Sequence, residues 1–169
     1  MKATTKKKST VTTEADPLIG KKMDKLNLPM TGGKSFDLKS YAGKRVILYF
    51  YPKDMTPGCT IEGHEFTQLV PEFKKLNTVV LGISRDSVDK HEKFIKKENY
   101  KIDLISDEDE QACEFFDVIK EKNMYGKKVM GIERSTFLIG SNGIIEHVWR
   151  KVKAEGHAQE VLEFVRSTR

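Results

Sequence analysis

The segment Arg45-Val-Ile-Leu-Tyr-Phe-Tyr51 constrains the fold more than any other part of the chain. It is β-branched and aromatic, and it lacks the every-second-residue alternation of a strand with one wet face. A strand that is apolar on both sides must be covered on both sides, so it belongs at the centre of a sheet with helices layered against it. The rest of the chain supplies the partners. Val79-Val-Leu-Gly-Ile83 and Lys101-Ile-Asp-Leu-Ile105 read as further strands. Ser135–Ile139 and Ile144–Trp149 flank Ser141-Asn-Gly143, a hairpin with an Asn-Gly turn. Two short strands, Leu26–Leu28 and Phe36–Leu38, are expected around Gly32-Gly33. Helical stripes fall at Phe66, Leu69, Val70 and Phe73, and again at Ala158, Val161, Leu162 and Val165. Ser87 suits the N-cap of a helix from Val88 to Glu98, and Glu110 to Phe116 reads as a shorter one. Pro71 interrupts the first stripe and is expected to kink that helix or to start a new one. Strands alternating with helices, then a hairpin and a last helix, give an α/β sandwich with a mixed central β-sheet flanked by helices.

A chain of 169 residues, 38% hydrophobic and 33% charged, fits one soluble domain. Its longest uncharged apolar run is Val46 to Tyr51, far short of the about 20 residues of a membrane span, so no membrane partner is expected. A net charge of +5, from 30 basic and 25 acidic residues, is too mild to demand nucleic acid. Met1 to Asp16 holds four lysines, two acids and no aromatic residue, and reads as a disordered basic tail (1–16) ahead of the folded domain (17–169). Lys6-Lys7-Lys8 is either a solvated run or a weak nuclear or nucleic-acid patch, and the segment holds no apolar stretch of the kind a secretory signal needs. Two cysteines exclude a disulfide scaffold and a Cys-rich zinc site, and the absence of Cys-x-x-Cys excludes dithiol exchange of the thioredoxin type. His64, His91, His147 and His157 form no helical pair with metal spacing, and neither metal nor cofactor is expected. Gly33-Lys34-Ser35 lacks the upstream glycine of a phosphate-binding loop, and Gly82-Ile-Ser-Arg-Asp86 lacks the closing glycine of a nucleophile elbow.

The chemistry concentrates in Tyr51-Pro-Lys-Asp-Met-Thr-Pro-Gly-Cys59-Thr-Ile-Glu62, which leaves the buried strand and enters a helix. Pro57 and Gly58 suit a tight strand-to-helix turn, and Cys59 then falls in the first helical turn. There the unpaired backbone N–H groups and the positive end of the helix dipole favour a thiolate. Thr56 adds a hydroxyl that donates or accepts. Such a thiol attacks an electrophile with a polar leaving group. The bland alternative is a small buried cysteine, which the Pro/Gly/Thr surroundings of a turn disfavour.

Pro52, Thr56 and Cys59 at this spacing match the peroxiredoxin active-site pattern, and Leu48 to Glu62 resembles its bacterioferritin-comigratory-protein, or Q-type, branch. The likeness continues through Gly82-Ile-Ser84, Leu104–Asp109, Gly131–Phe137 and Gly156-His-Ala158, and covers the chain from about Pro17 onward. The resemblance implies a thioredoxin-like fold and reduction of hydrogen peroxide and organic hydroperoxides. Residue by residue, it implies that Cys59 becomes a sulfenic acid, that Thr56 bonds the peroxide oxygen and the thiolate, and that Pro52 shields the pocket from water. It also implies that Arg134 stabilises the thiolate and the developing charge, although taken alone Arg134 reads as a solvated strand-end charge.

Where many Q-type members carry a resolving cysteine, this chain has His64, whose plainer reading is an exposed helix-face histidine. The N-terminal Ala-Pro-Asp-Phe usual in that branch is replaced by Met23-Asp-Lys-Leu26. Cys113, one turn before Phe116, reads as a packed structural thiol. The expected cycle is therefore one-Cys, with the Cys59 sulfenic acid reduced by thioredoxin or another external thiol in a cytoplasmic monomer. An internal Cys59–Cys113 cycle and a non-catalytic thioredoxin-fold module stand as rivals.

Overall fold

The structure, a computed structural model, describes residues 11–12, 16–23 and 25–168. In chain order its elements are β1 (Val11–Thr12), β2 (Leu28–Met30), β3 (Lys34–Phe36), β4 (Arg45–Phe50), α1 (Pro57–Lys75), β5 (Thr78–Ser84), α2 (Val88–Glu98) and β6 (Asp103–Ser106). There follow α3 (Gln111–Phe116), β7 (Ile119–Met124), β8 (Lys127–Ile132), β9 (Ser135–Ile139), β10 (Ile145–Arg150) and α4 (His157–Ser167). Eight strands form one mixed sheet in the order β1-β10-β9-β4-β5-β6-β2-β3, with β4, β5 and β6 parallel to one another. β7 and β8 form a separate two-stranded ribbon. This is the expected α/β sandwich with a mixed central sheet.

β4 occupies the middle of the sheet, and its side chains divide by alternation. Val46, Leu48 and Phe50 join a core with α3 and Leu18, Met23 and Leu28. Ile47 and Tyr49, with Tyr51 just beyond the strand, join a second core with α1, α2 and α4. The sheet thus separates two apolar layers, and every residue from Val46 to Tyr51 is buried.

Several elements differ from the sequence reading, each for a physical reason. The Gly32-Gly33 hairpin is tighter than expected: its ladder pairs Leu28 with Phe36 and Met30 with Lys34, and both turn glycines have positive φ (80° and 67°). The third strand begins two residues later than expected, at Asp103, and extends to Ser106. Val11–Thr12 pair with Arg150 and Trp149, and Asp16 is buried, accepting from Leu18 N and from Arg150 Nε at 2.8 Å. At these positions the segment expected to be a free tail is held to the sheet; 1–10 and 13–15, with the Lys6-Lys7-Lys8 run, lie outside the described residues. The β7–β8 ribbon was not foreseen, because its residues are mostly exposed and four are lysines, so no apolar period marks it.

Pro71 neither ends nor restarts its helix: α1 runs unbroken for 19 residues. The ring faces solvent, while Phe66 and Phe73 on the same helix are buried to 0% and 1% exposure. Two such rings contribute about 1.5–3 kcal/mol each, against about 3 kcal/mol lost to an interior proline. Packing therefore outweighs the break. Pro71→Ala restores the missing N–H donor and is expected to raise unfolding stability by about 1–2 kcal/mol, the unfolded-chain stiffness of proline offsetting part of the gain. Urea denaturation checks this; an unchanged or lower midpoint contradicts it.

Candidate active site

Strand register brings the site together at one end of the sheet. Phe50, the last residue of β4, pairs with Ser135, the first residue of β9, so the preceding Arg134 lies beside the chain as it leaves β4. From Tyr51 the backbone turns through Pro52–Thr56 into α1, with Thr56 as N-cap and Cys59 as the third helical residue. Thr60 N donates to Thr56 O at 2.9 Å, closing the first helical turn over Cys59. The Thr56 side chain makes no capping bond, so it leaves the N–H groups of that turn uncovered.

Cys59 is 2% exposed, packed with Tyr49, Tyr51 and Tyr100 in the second core. Arg134 Nη1 lies 3.6 Å from Cys59 Sγ and donates to Glu62 Oε1 at 2.7 Å. One guanidinium nitrogen therefore bridges the sulfur and a buried carboxyl one helical turn along the same face. Gly58 makes room for it: a Cβ there would meet Arg134 Nη2 at 3.0 Å. Arg134 is anchored through its backbone as well, its carbonyl accepting from Val152 N. Glu62 is fully buried, and desolvation pushes its carboxyl up from the ordinary range, with Arg134 and His157 pulling the other way. Its Oε2 is a buried oxygen without a hydrogen-bond partner among the described residues. An unsatisfied buried oxygen costs about 1–3 kcal/mol, which the Arg134 contact must offset.

Thr56 gives its hydroxyl proton to Lys53 O at 2.8 Å and not to the sulfur. The bond to the thiolate that the resemblance implied is thus absent here, while the oxygen lone pairs stay available to accept. Pro52 is half-buried and, with Arg134, Val152, Lys122 and Lys151, lines a groove of about 330 Å³. Lys122, on β7, has its ammonium shifted down by burial and by the neighbouring Arg134. The structure thus gathers Pro52, Thr56, Cys59 and Arg134 around one strand-to-helix turn.

The helix carrying Cys59 is pinned along its length. Tyr100 Oη donates to Thr60 O at 2.9 Å, and the Tyr100 ring lies against Gly63, where a Cβ would fall 2.3 Å from it. His64 lies about half exposed on the helix face, its Nε2 2.7 Å from Glu98 Oε1 and its ring edge-on to Tyr100. That is the plainer of the two readings of His64. Glu65 accepts from Gly156 N, ahead of α4.

Cys113 lies in the other core, with α3, on the far side of the sheet. It is fully buried, and its thiol is held well above the ordinary range, first by burial and then by Asp107. Asp107 accepts from Ala112 N and Cys113 N at the start of α3, and Arg150 donates to Phe116 O and Asp117 O at its end.

Sequence reasoning gave no role to Glu62 or Tyr100, and placed Gly58 only in the turn and not beside Arg134. The spacing of Cys59 and Glu62, one helical turn apart, was the available signal for the first. The other two act through contacts that only the fold creates.

Comparisons with known proteins identify the family. The AhpC/TSA family model matches residues 19–148. Peroxiredoxin Bcp of Xanthomonas campestris pv. campestris is 54% identical over 137 residues, covering 81% of this chain and 86% of that protein. Peroxiredoxin Bcp of Bacillus subtilis is 46% identical over 145 residues, covering 86% and 92%. The solved bacterioferritin comigratory protein of Xanthomonas campestris, studied for its alkyl peroxide reduction activity, superimposes with a TM-score of 0.80 at 51% identity, covering 84% of this chain and 90% of that one. These likenesses bear out the thioredoxin-like fold and the resemblance carried by Pro52, Thr56 and Cys59: the chain belongs to the AhpC/TSA family, on its peroxiredoxin Bcp branch, and is a thiol-dependent peroxidase.

Proposed function

We propose that Cys59 is the peroxide-reacting thiol and that an external thiol completes the cycle. The observation that carries this is Cys59 Sγ in the first turn of α1, 2% exposed, with Arg134 Nη1 at 3.6 Å. The sulfur attacks the nearer peroxide oxygen; the S–O bond forms as the O–O bond breaks. Sulfur loses two electrons and becomes a sulfenic acid, and the alcohol or water leaves after taking a proton. Arg134 directs an N–H at the sulfur and faces the charge that develops on the oxygens. Thr56, its proton committed to Lys53 O, accepts from the peroxide O–H and orients it. Pro52, half-buried where the chain leaves the strand, shields the reacting sulfur from water. The Xanthomonas relative has alkyl peroxide reduction activity, and organic hydroperoxides suit the same chemistry here.

An outside thiolate then attacks the sulfenic sulfur, water departs, and a second thiol releases Cys59 from the mixed disulfide. The placement of Cys59 and Cys113 in cores on opposite faces of the sheet favours this route over an internal disulfide. Thioredoxin or a similar dithiol fits the reductant, and we place the enzyme in the cytoplasm as a monomer. Among the described residues no helix is long and apolar enough to cross a membrane.

Cys59→Ser is expected to abolish peroxide consumption driven by dithiothreitol while leaving the circular dichroism spectrum unchanged, since a hydroxyl does not ionise near neutral pH. Activity within about tenfold of wild type would sink the mechanism. Arg134→Lys keeps the charge but replaces the planar guanidinium, whose Nη1 is held at both the sulfur and Glu62, with an ammonium on a flexible stem. The expected loss in second-order rate is about tenfold or more, with slower alkylation of Cys59 by iodoacetamide; no change in either would reduce Arg134 to a structural partner of Glu62. Cys113→Ala is expected to leave thiol-driven turnover within about twofold of wild type, because the mutated site touches only the opposite core. Excess peroxide should carry wild type on to the sulfinic acid. A stoichiometric Cys59–Cys113 disulfide in a mass map, with thioredoxin-driven turnover lost in Cys113→Ala, would favour the internal cycle.

A further inference from the structure

The loop from Pro52 to Thr56 holds a backbone conformation that its own residues do not favour. Met55 has a φ of 67°, in the left-handed region, and its side chain is 45% exposed, so its packing does not explain the strain. The residue before it does the holding. Asp54 is 4% exposed; its Oδ1 accepts from Tyr51 Oη at 2.6 Å, and its Oδ2 lies 2.7 Å from His91 Nδ1. Its backbone N–H donates to Asp86 Oδ2 at 2.8 Å, and Asp86 Oδ2 is itself held by Ser84 Oγ. His91 is completely buried in α2, with Nε2 2.9 Å from the carbonyl of Ile105 on β6. A carbonyl only accepts, so Nε2 carries a hydrogen, and Nδ1 is left to share a proton with Asp54. On the other side of Met55, the Thr56 hydroxyl is bonded to Lys53 O.

We propose that the Asp54–His91 pair is a positioning device for peroxide reduction: it locks the Pro52–Thr56 loop so that Thr56 and Pro52 meet the peroxide correctly, through groups that never touch it. One carboxylate ties the loop to the end of β4 through Tyr51 and to α2 and β6 through His91, while its backbone N–H ties it to β5 through Asp86. The donor atoms of Asp54, Asp86 and His91 lie within 4.8 Å of one another, close enough to suggest a cation site. Their partners argue for a hydrogen-bonded clamp instead. Tyr51, Ser84 and the Asp54 N–H already occupy the carboxylates, Lys90 Nζ approaches Asp86 Oδ1 at 3.5 Å, and 2.7 Å between Asp54 and His91 leaves no room for an ion. The thiol is held separately, by the helix start and Arg134, so the clamp acts on the peroxide's side of the reaction.

This inference rests on the peroxidase reading, and single-turnover oxidation of Cys59 by hydrogen peroxide, followed by quenched-flow mass analysis, tests the two together. Asp54→Asn and His91→Gln are each expected to slow oxidation by about tenfold or more, the double variant being no slower than the slower single. Alkylation of Cys59 by iodoacetamide should stay within about threefold of wild type, since that reagent does not use the loop. Tyr51→Phe removes the hydroxyl's contacts with Asp54 and His91 while keeping the ring, and should slow oxidation by about two- to fivefold with a native near-ultraviolet spectrum even where the other variants fold poorly. Folded variants oxidised at the wild-type rate, with only a lowered melting temperature, would make the pair merely structural and overturn the proposal. So would an equal loss in alkylation and oxidation, which would place the effect on the thiol. Wild type inert to peroxide at Cys59 would sink the peroxidase reading, and the inference with it.

Discussion

The structure depends on β4 being apolar on both faces. Such a strand is stable only in the middle of a sheet, and once it is there its neighbours determine what meets at its carboxyl end. β9 runs antiparallel to it, so the Phe50–Ser135 pairing delivers Arg134 from one side. β5 and β6 run parallel on the other side, so Ile83 and Ile105 lie level with Phe50 across the sheet, with Ser84, Asp86 and Ser106 just beyond them. The loop leaving β4 is therefore surrounded by fixed groups on both flanks, at the carboxyl ends of parallel strands where ligand sites of open α/β sheets form. A shift of register by one residue in either pairing would turn these side chains to the other face.

Around that site the chain departs from ordinary packing. Glu62 is buried with one oxygen unpaired, Met55 is left-handed without being glycine, and Asp54 and His91 are polar and almost wholly enclosed. Each is unfavourable by itself and is sustained by the apolar layers on either side of the sheet. Local rules broken together at one place, inside a frame that otherwise obeys them, mark a functional region.

What the sequence made legible follows the same division. β4, β5, α2 with its Ser87 cap, and the β9–β10 hairpin all announce themselves by apolar pattern or cap chemistry, and Pro52, Thr56 and Cys59 by their spacing. The β2–β3 hairpin was misplaced because Leu26-x-Leu28 alternates as well as Leu28-x-Met30; only the fold decides which pair is inside. β1 pairs through its backbone, which leaves no mark in side-chain pattern. Arg134 was recognisable only by resemblance, since a lone arginine at a strand end carries no signal until the register is known. Asp54 and His91 carry no structural signal in sequence beyond their polarity, and their burial depends on partners that only the fold brings together from distant parts of the chain.

The sheet that divides the molecule into two cores also divides its sulfur chemistry. With Cys59 on one side and Cys113 on the other, the proposed external route leaves the sulfenic acid to meet its partner from outside the chain, and on that route its decay is bimolecular. Its lifetime is then set by the concentration of thiols around the protein, while its formation is set by the concentration of peroxide. The oxidised fraction at steady state becomes a ratio of the two, so the same wall of β-strands that stabilises the fold makes the enzyme a gauge of its surroundings.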